Sequence, residues 1–345
     1  MPKFLLYIAH KYGFPIVRPL QKEILNRGFD VAWFIEIEEN KKFIKPEEKL
    51  LLRVKEVLSY NPDVVLVATN EVPYFFPGVK VQLFHGFSVD KRSKEKGHFR
   101  IRGFFDLYCT QGPSTTEEFK RLAEKHRHFD VVETGWSKVD LLFPVKKKHN
   151  EKPVIMLAST FTRSMSLTHK PKVFKNIKKI IKKNTWNWVI TLHPKMDKHI
   201  VKKYAKLQKY KNVRYVDTLD DIEQLREPDV MFSDTSSVIP EFLIQNKPVV
   251  TFKNMKPGNH LLNITDAKDI EKSIQLALDF PEELQKNIQK YIEVTHPYTD
   301  GRSSIRVVDA CLNFLDENRW QFLKRKPLNL IRKLQMRRRL HYYKF

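Results

Sequence analysis

Short apolar runs rich in β-branched residues recur along this chain, separated by longer stretches with helical spacing, and this alternation is what most restricts the fold. A strand that is apolar at consecutive positions has to be covered on both faces, which parallel sheets with crossover helices achieve. In the first part, strands are predicted at Lys3 to Ala9, Val31 to Glu36, Val64 to Thr69, Val81 to Phe84, Leu107 to Thr110 and Val131 to Glu133. Helices are predicted over Pro15 to Arg27, Pro46 to Ser59 and Pro113 to His126, the last opened by a proline and carrying acids early.

Residues Pro144 to Pro153 hold four lysines, His149, Asn150 and two prolines, the composition of a solvated linker. A second series follows, with strands at Val154 to Ala158, Val189 to Leu192, Val213 to Val216, Val230 to Phe232 and Val249 to Phe252. Its helices lie near Val173 to Lys183, Lys198 to Lys209 and Val238 to Gln245. The lysines of 170–183 read as the solvated face of one of them. The expected class is therefore α/β, with two Rossmann-like lobes facing an interlobe cleft. The expected division is 1–145, 146–318 and a basic helical tail at 319–345.

Composition narrows the function. With 345 residues and 41% hydrophobic side chains there is material for about two cores. Two cysteines, Cys109 and Cys311, give no disulfide framework and no CxxC pair, which fits a reducing, cytoplasmic compartment. No apolar run approaches the roughly 18 residues of a membrane span, and Phe4 to Ala9 reads as a buried strand rather than a secretion signal. The charge balance is 63 Lys and Arg against 40 Asp and Glu, a formal +23, so an anionic partner is expected. There is no GxGxxG, Walker A, HExxH or GxSxG, which sets aside those four enzyme classes.

What remains is a set of polar residues at the carboxyl ends of predicted strands, where open α/β sheets bind ligands. His85 leaves a strand together with Gly86 and precedes Lys91, Arg92, Lys94, Lys96, Arg100 and Arg102; a histidine there suits general base work, and the glycine admits substrate to the backbone. The structural alternative is a turn histidine capping the sheet. His193, followed by Pro194 and Lys195, leaves another strand; its alternative is a loop histidine bonded to its neighbours. In Ser233-Asp234-Thr235-Ser236-Ser237, a strand ends in an acid and hydroxyls before a helix carrying Glu241, an arrangement suited to a phosphate, with ordinary helix capping as the alternative.

Taken in order, His85-Gly86, Thr134-Gly135-Trp136-Ser137-Lys138-Val139-Asp140, His193-Pro194, Ser233-Asp234-Thr235-Ser236-Ser237 and Asp300-Gly301-Arg302-Ser303-Ser304 resemble the CDP-glycerol glycerophosphotransferase family of teichoic acid and capsule synthesis. The resemblance spans roughly residues 80 to 310. It implies a GT-B architecture and transfer of a polyol phosphate from CDP-glycerol or CDP-ribitol to a hydroxyl of a lipid-linked glycan acceptor, with release of CMP. By that analogy His85 is the general base and His193 binds the transferring phosphoryl group. Ser236 and Ser237 hold donor phosphate, Asp234 orients that turn or contacts a polar donor group, Glu241 meets the cytidine ribose, and Arg302 and Ser303 reach a phosphate. Gly86 and Asp140 fall on the acceptor side or serve structure. The chain departs from the family pattern at Phe87-Ser88, where members carry threonine and then proline, and at Ser137-Lys138-Val139, which bears on acceptor and polyol. No cofactor is implied beyond the donor substrate, and no DxD or histidine cluster calls for a metal.

The tail from Arg319 holds ten Lys or Arg and no acid among many aromatic and aliphatic residues. That mixture suits an anionic membrane surface, with Lys324, Arg325, Lys326, Arg337, Arg338 and Arg339 as lipid contacts, and so a peripheral position on the cytoplasmic face of the cell membrane. Two other classes compete. A GT-B glycosyltransferase or a UDP-N-acetylglucosamine 2-epimerase-like enzyme would share the strand-Asp-Ser-Ser-helix-Glu and His-Pro patterns. A nucleic-acid-binding scaffold would explain the charge but leave His85 and His193 idle, and no recognised nucleic-acid module is present.

Overall fold

A computed structural model of the chain describes residues 1–87, 97–145, 150–217 and 222–343. Lys91, Arg92, Lys94 and Lys96 of the basic loop, and Lys146 to His149 of the expected linker, lie outside the described residues. Contacts divide the chain into two compact units, Met1–Asp140 with Asp300–Phe345, and Leu141–Thr299. This departs from the expected division: residues 300–318 belong with the first unit, and so does the tail from 319.

The first unit contains β1 (Lys3–Ile8), α1 (Phe14–Asn26), β2 (Asp30–Ile35), β3 (Leu50–Leu51), α2 (Val54–Tyr60), β4 (Val64–Val67), β5 (Val79–Gln82), β6 (Leu107–Thr110), α3 (Pro113–His126) and β7 (Asp130–Glu133). Their order in the sheet is β3-β2-β1-β4-β5-β6-β7, with every pairing parallel. Central strands β1, β4 and β6 are buried at nearly every position, as the continuous apolar runs require. The helix expected from Pro46 begins only at Val54. Leu50 and Leu51 instead pair with Trp33 and Phe34 on β2, because burying Leu51 at the sheet edge outweighs local helix propensity.

The second unit contains β8 (Val154–Ser159), α4 (Pro171–Lys183), β9 (Asn187–Leu192), α5 (Lys198–Ala205), β10 (Val213–Val216), β11 (Val230–Ser233), α6 (Ile239–Leu243), β12 (Val249–Phe252), β13 (Leu262–Ile264), α7 (Ile270–Asp279) and α8 (Glu282–Thr295). The sheet runs β10-β9-β8-β11-β12-β13, again wholly parallel. Helix α4 shows how spacing dictates packing: Val173, Ile177, Ile180 and Ile181 are buried on one stripe while the lysines fall elsewhere.

After Thr299 the chain returns to the first unit as α9 (Ser303–Asp316) and α10 (Leu330–Arg339). Helix α9 packs on α1, with Arg27 paired to Asp309 at 2.6 Å. Its first turn is held by Asp140, whose carboxylate accepts the Ser303 N–H at 2.8 Å, the Ser304 N–H at 2.7 Å and the Ser304 hydroxyl. A carboxylate at a helix start satisfies orphan donors and meets the positive end of the dipole. Replacing Asp140 by Ala therefore exposes buried donors and is expected to cost about 2 kcal/mol in urea unfolding, with Asp140→Asn intermediate because it keeps one acceptor oxygen. An alanine variant as stable as the parent would contradict this role.

Candidate functional site

Both sheets change winding direction once, between β1 and β4 in the first unit and between β8 and β11 in the second. The carboxyl ends of strands beside such a switch form the usual ligand crevice. The expected residues gather at these two places.

In the first unit, β5 is followed by Leu83 and by Phe84, which adopts a left-handed conformation at φ 59°. Such a backbone costs about 1 kcal/mol for a residue with a side chain. Burial of the Phe84 ring against His98 and Phe119 offsets it and turns the next residue, His85, out to solvent. The His85 Nδ1 lies 3.3 Å from the carbonyl oxygen of Ala68, directly after β4. A carbonyl can only accept, so Nδ1 carries a proton, and in the neutral form of the ring the lone pair lies on Nε2. Among the described residues, no atom lies within 4 Å of the Cβ that a side chain at Gly86 would carry.

Tyr12, in the turn between β1 and α1, places its ring 5.2 Å from that of His85, and His10 lies 5.4 Å from Tyr12. These two residues were not among the expected site residues, although a strand exit beside the switch was the signal that could have found them. Behind the site, burial pushes the His98 imidazole down to about 4, with His85 contributing further in the same direction. His98 is therefore neutral at physiological pH and sets no cation behind His85.

In the second unit, Asp234 directly follows β11 and is fully buried. It accepts the Ser159 hydroxyl at 2.5 Å and the N–H groups of Thr160 and Leu167 at 3.0 Å each, so it ties the end of β8 and the following loop across the switch. Burial raises its carboxyl above the usual carboxylate range, while those hydrogen bonds oppose the rise. Its own carbonyl accepts the Asn254 amide at 2.6 Å. Asp234 thus orients the turn from beneath. Ser236 is half-exposed and Ser237 exposed, and the Ser236 Oγ accepts the Val238 N–H at 3.5 Å. The helix after them is shorter than the expected 238–245, because α6 spans only Ile239–Leu243. Glu241 is buried on it.

His193 follows β9 and is half-buried, its ring 4.4 Å from that of Phe161. The Lys195 N–H donates to His193 Nδ1 at 3.0 Å. The neutral ring then holds its proton on Nε2, the reverse of His85, and is a donor. Nearby, His169 Nε2 bonds Asp197 at 2.9 Å, a contact the sequence did not suggest, and that bond draws the Asp197 carboxyl down.

Of the two expected phosphate contacts, Ser303 is corrected: it is buried in the first unit with its N–H already donated to Asp140, while Arg302 lies exposed in the same unit. The anion at the start of α9 is the protein's own. Three of the six expected lipid contacts are likewise turned to the protein: Lys326 pairs with Asp106, Arg339 with Glu36, and Arg337 is buried against Tyr74. A cavity of about 940 Å³ in the second unit, lined by Arg226, Asp229, Lys247 and Phe280 among others, lies by the amino ends of β11 and β12 and includes none of the expected residues. Among the described residues no three His, Cys, Asp or Glu side chains cluster to hold a metal ion.

Two parallel-sheet Rossmann-like units, each with polar residues at its switch point, define a GT-B-like enzyme fold. The chain belongs to the UDP-N-acetylglucosamine 2-epimerase family, whose sequence model matches residues 109–312, more than half of its length. Solved structures agree on the fold. The chain is similar to S. aureus MnaA in its co-structure with UDP, with a TM-score of 0.64 and 17% identity over 92% of this chain and 97% of that one. A putative UDP-N-acetylglucosamine 2-epimerase from Listeria monocytogenes gives 0.67 and 17% over 91% and 97%. The wall teichoic acid polymerase TagF, in a structure soaked with CDPG, gives 0.66 and 14% over 92% and 90%. None of the curated proteins matches the chain.

Asp234→Asn removes charge from an acceptor of three hydrogen bonds and is expected to destabilise the protein by about 1–3 kcal/mol, with faster amide exchange at Thr160 and Leu167. Unchanged exchange there would refute the tie. For His98 the folded pKa, about 4, lies below its ordinary value of 6.5, so the unfolded chain binds more protons between them. Stability should then fall as pH drops from about 6.5 towards 4, by about 1.4 kcal/mol for each pH unit in that interval, and His98→Phe should flatten that part of the urea-unfolding profile.

Proposed function

We propose that the chain is a phosphotransferase that moves a polyol phosphate from CDP-glycerol or CDP-ribitol to a hydroxyl of a lipid-linked glycan acceptor, releasing CMP. The observation that carries this reading is the opposite Nδ1 contacts of two histidines at strand exits, a carbonyl for His85 and an amide N–H for His193. His85 Nε2 is positioned by the Nδ1 contact with Ala68 to take the proton of an acceptor hydroxyl. The oxygen so activated attacks the phosphorus that bears the polyol, the pyrophosphate P–O bond breaks, and CMP leaves with that electron pair. His193 Nε2–H donates to a phosphoryl oxygen as negative charge shifts, and Ser236 and Ser237 add hydroxyl donors. Asp234 keeps their turn in place. Ser303 has its N–H committed to Asp140 and takes no part in this scheme. The CDPG-soaked TagF structure gives the reading a precedent on this fold.

A second reading is favoured by the family match, namely inversion at C2 of UDP-N-acetylglucosamine. One assay separates them. The purified chain is supplied with CDP-glycerol, CDP-ribitol or UDP-N-acetylglucosamine, with and without a lipid-linked glycan extract, and CMP and the sugar epimer are followed together. Acceptor-dependent CMP release, lowered about 10²- to 10⁴-fold by His85→Ala, is the expected result. Epimer formation without CMP release would establish the second reading instead.

A further inference from the structure

The basic tail folds with part of its charge turned inward. On α10 the face formed by Arg332, Lys333, Met336, Arg337 and Leu340 meets the first unit. Met336 is fully buried in the core. Arg337 is bonded to the Tyr74 hydroxyl and lies 5.2–5.4 Å from the rings of Tyr74, Phe75 and Tyr342. Arg332 and Arg339 pair with Glu71, and Arg339 also with Glu36. The opposite face carries Leu330, Ile331 and Leu334, preceded by Phe322 and Leu328, and these five are 60–80% exposed. Elsewhere among the described residues only Met1 and Met255 match that exposure for a large hydrophobic side chain.

We infer that this face is a monotopic membrane anchor, whose five apolar side chains enter the outer layer of an anionic bilayer while the exposed Lys324, Arg325 and Arg338 meet lipid phosphates. Charge selects the occupant. The exposed charges beside the apolar side chains, Lys324, Arg325 and Arg338, are all positive, so a second copy of the same face would be repelled, whereas an anionic lipid surface complements it. The location adds a consequence. Glu36 stands one residue past β2 and Glu71 four past β4, so the helix is fastened at the carboxyl edge of the sheet, the edge that also carries His85. A bilayer against α10 thus lies by that edge. The anchor stands on this surface and does not depend on which donor the enzyme uses.

The test is sedimentation of the full chain with vesicles of phosphatidylcholine alone and with about 30 mol% phosphatidylglycerol. Binding to the anionic vesicles is expected. A variant carrying Leu330→Gln, Ile331→Gln and Leu334→Gln should bind about tenfold more weakly or less, and what remains should vanish at roughly 0.5 M salt, where the parent keeps part of its binding. Should that variant unfold, L334C labelled with an environment-sensitive dye reports insertion directly, since the native Cys109 and Cys311 are both buried. A blue shift on anionic vesicles supports the anchor. It is overturned by a parent chain indifferent to vesicles, by a glutamine variant that binds like the parent, by a dye that stays in water, or by a parent dimer that the glutamine variant dissolves.

Discussion

The carboxylate of Asp140 is the contact on which the first unit closes. That unit is assembled from two stretches of chain separated by the whole of the second, and the returning stretch is joined to the first where Asp140 takes the opening N–H groups of α9. A helix start offers unpaired donors and a partial positive charge, which a buried carboxylate can match without a cation. Burial pushes the Asp140 carboxyl up, and the hydrogen bonds from Ser303 and Ser304 pull the other way, so the contact is useful only while those donors are in place. The α1–α9 packing and the Arg27–Asp309 pair then align the rest of the helix.

The same use of a buried carboxylate recurs in the second unit. Asp234 commits its acceptors to Ser159, Thr160 and Leu167, leaving the surface of the turn to the Ser236 and Ser237 hydroxyls. Acids in this protein therefore shape the edges on which ligands can sit, and histidines and hydroxyls face outward from them. What distinguishes the two histidines at the strand exits is the partner of Nδ1: a carbonyl for His85 and an amide N–H for His193. One ring type is thereby set to two chemical roles by a single backbone contact each.

Strands such as Val64–Val67 and Val230–Ser233 were legible in the sequence because both faces are covered and no position has to be polar. β3 and β13 were not, since two or three residues at a sheet edge leave no period to detect. The strand exits at His85, His193 and Asp234 could be placed for the same reason as their strands. Ser303 was misplaced because the motif around it reads alike whether the helix receives a ligand or the protein's own aspartate, and the chain's return to the first unit is a long-range event. In the tail, composition could not show which cations are paired: Lys326, Arg332 and Arg339 meet Asp106, Glu71 and Glu36, all more than two hundred residues upstream.

The discontinuity of the first unit also sets an order of events during synthesis. Its seven strands leave the ribosome first, yet the core they form lacks Met336, and its α1 face lacks α9, until the second unit has been made in full. The second unit, continuous from Leu141 to Thr299, can complete its own sheet while the earlier one still waits. The first unit thus completes itself only after the second has been made, when the segment that fastens α10 to Glu36 and Glu71 follows it.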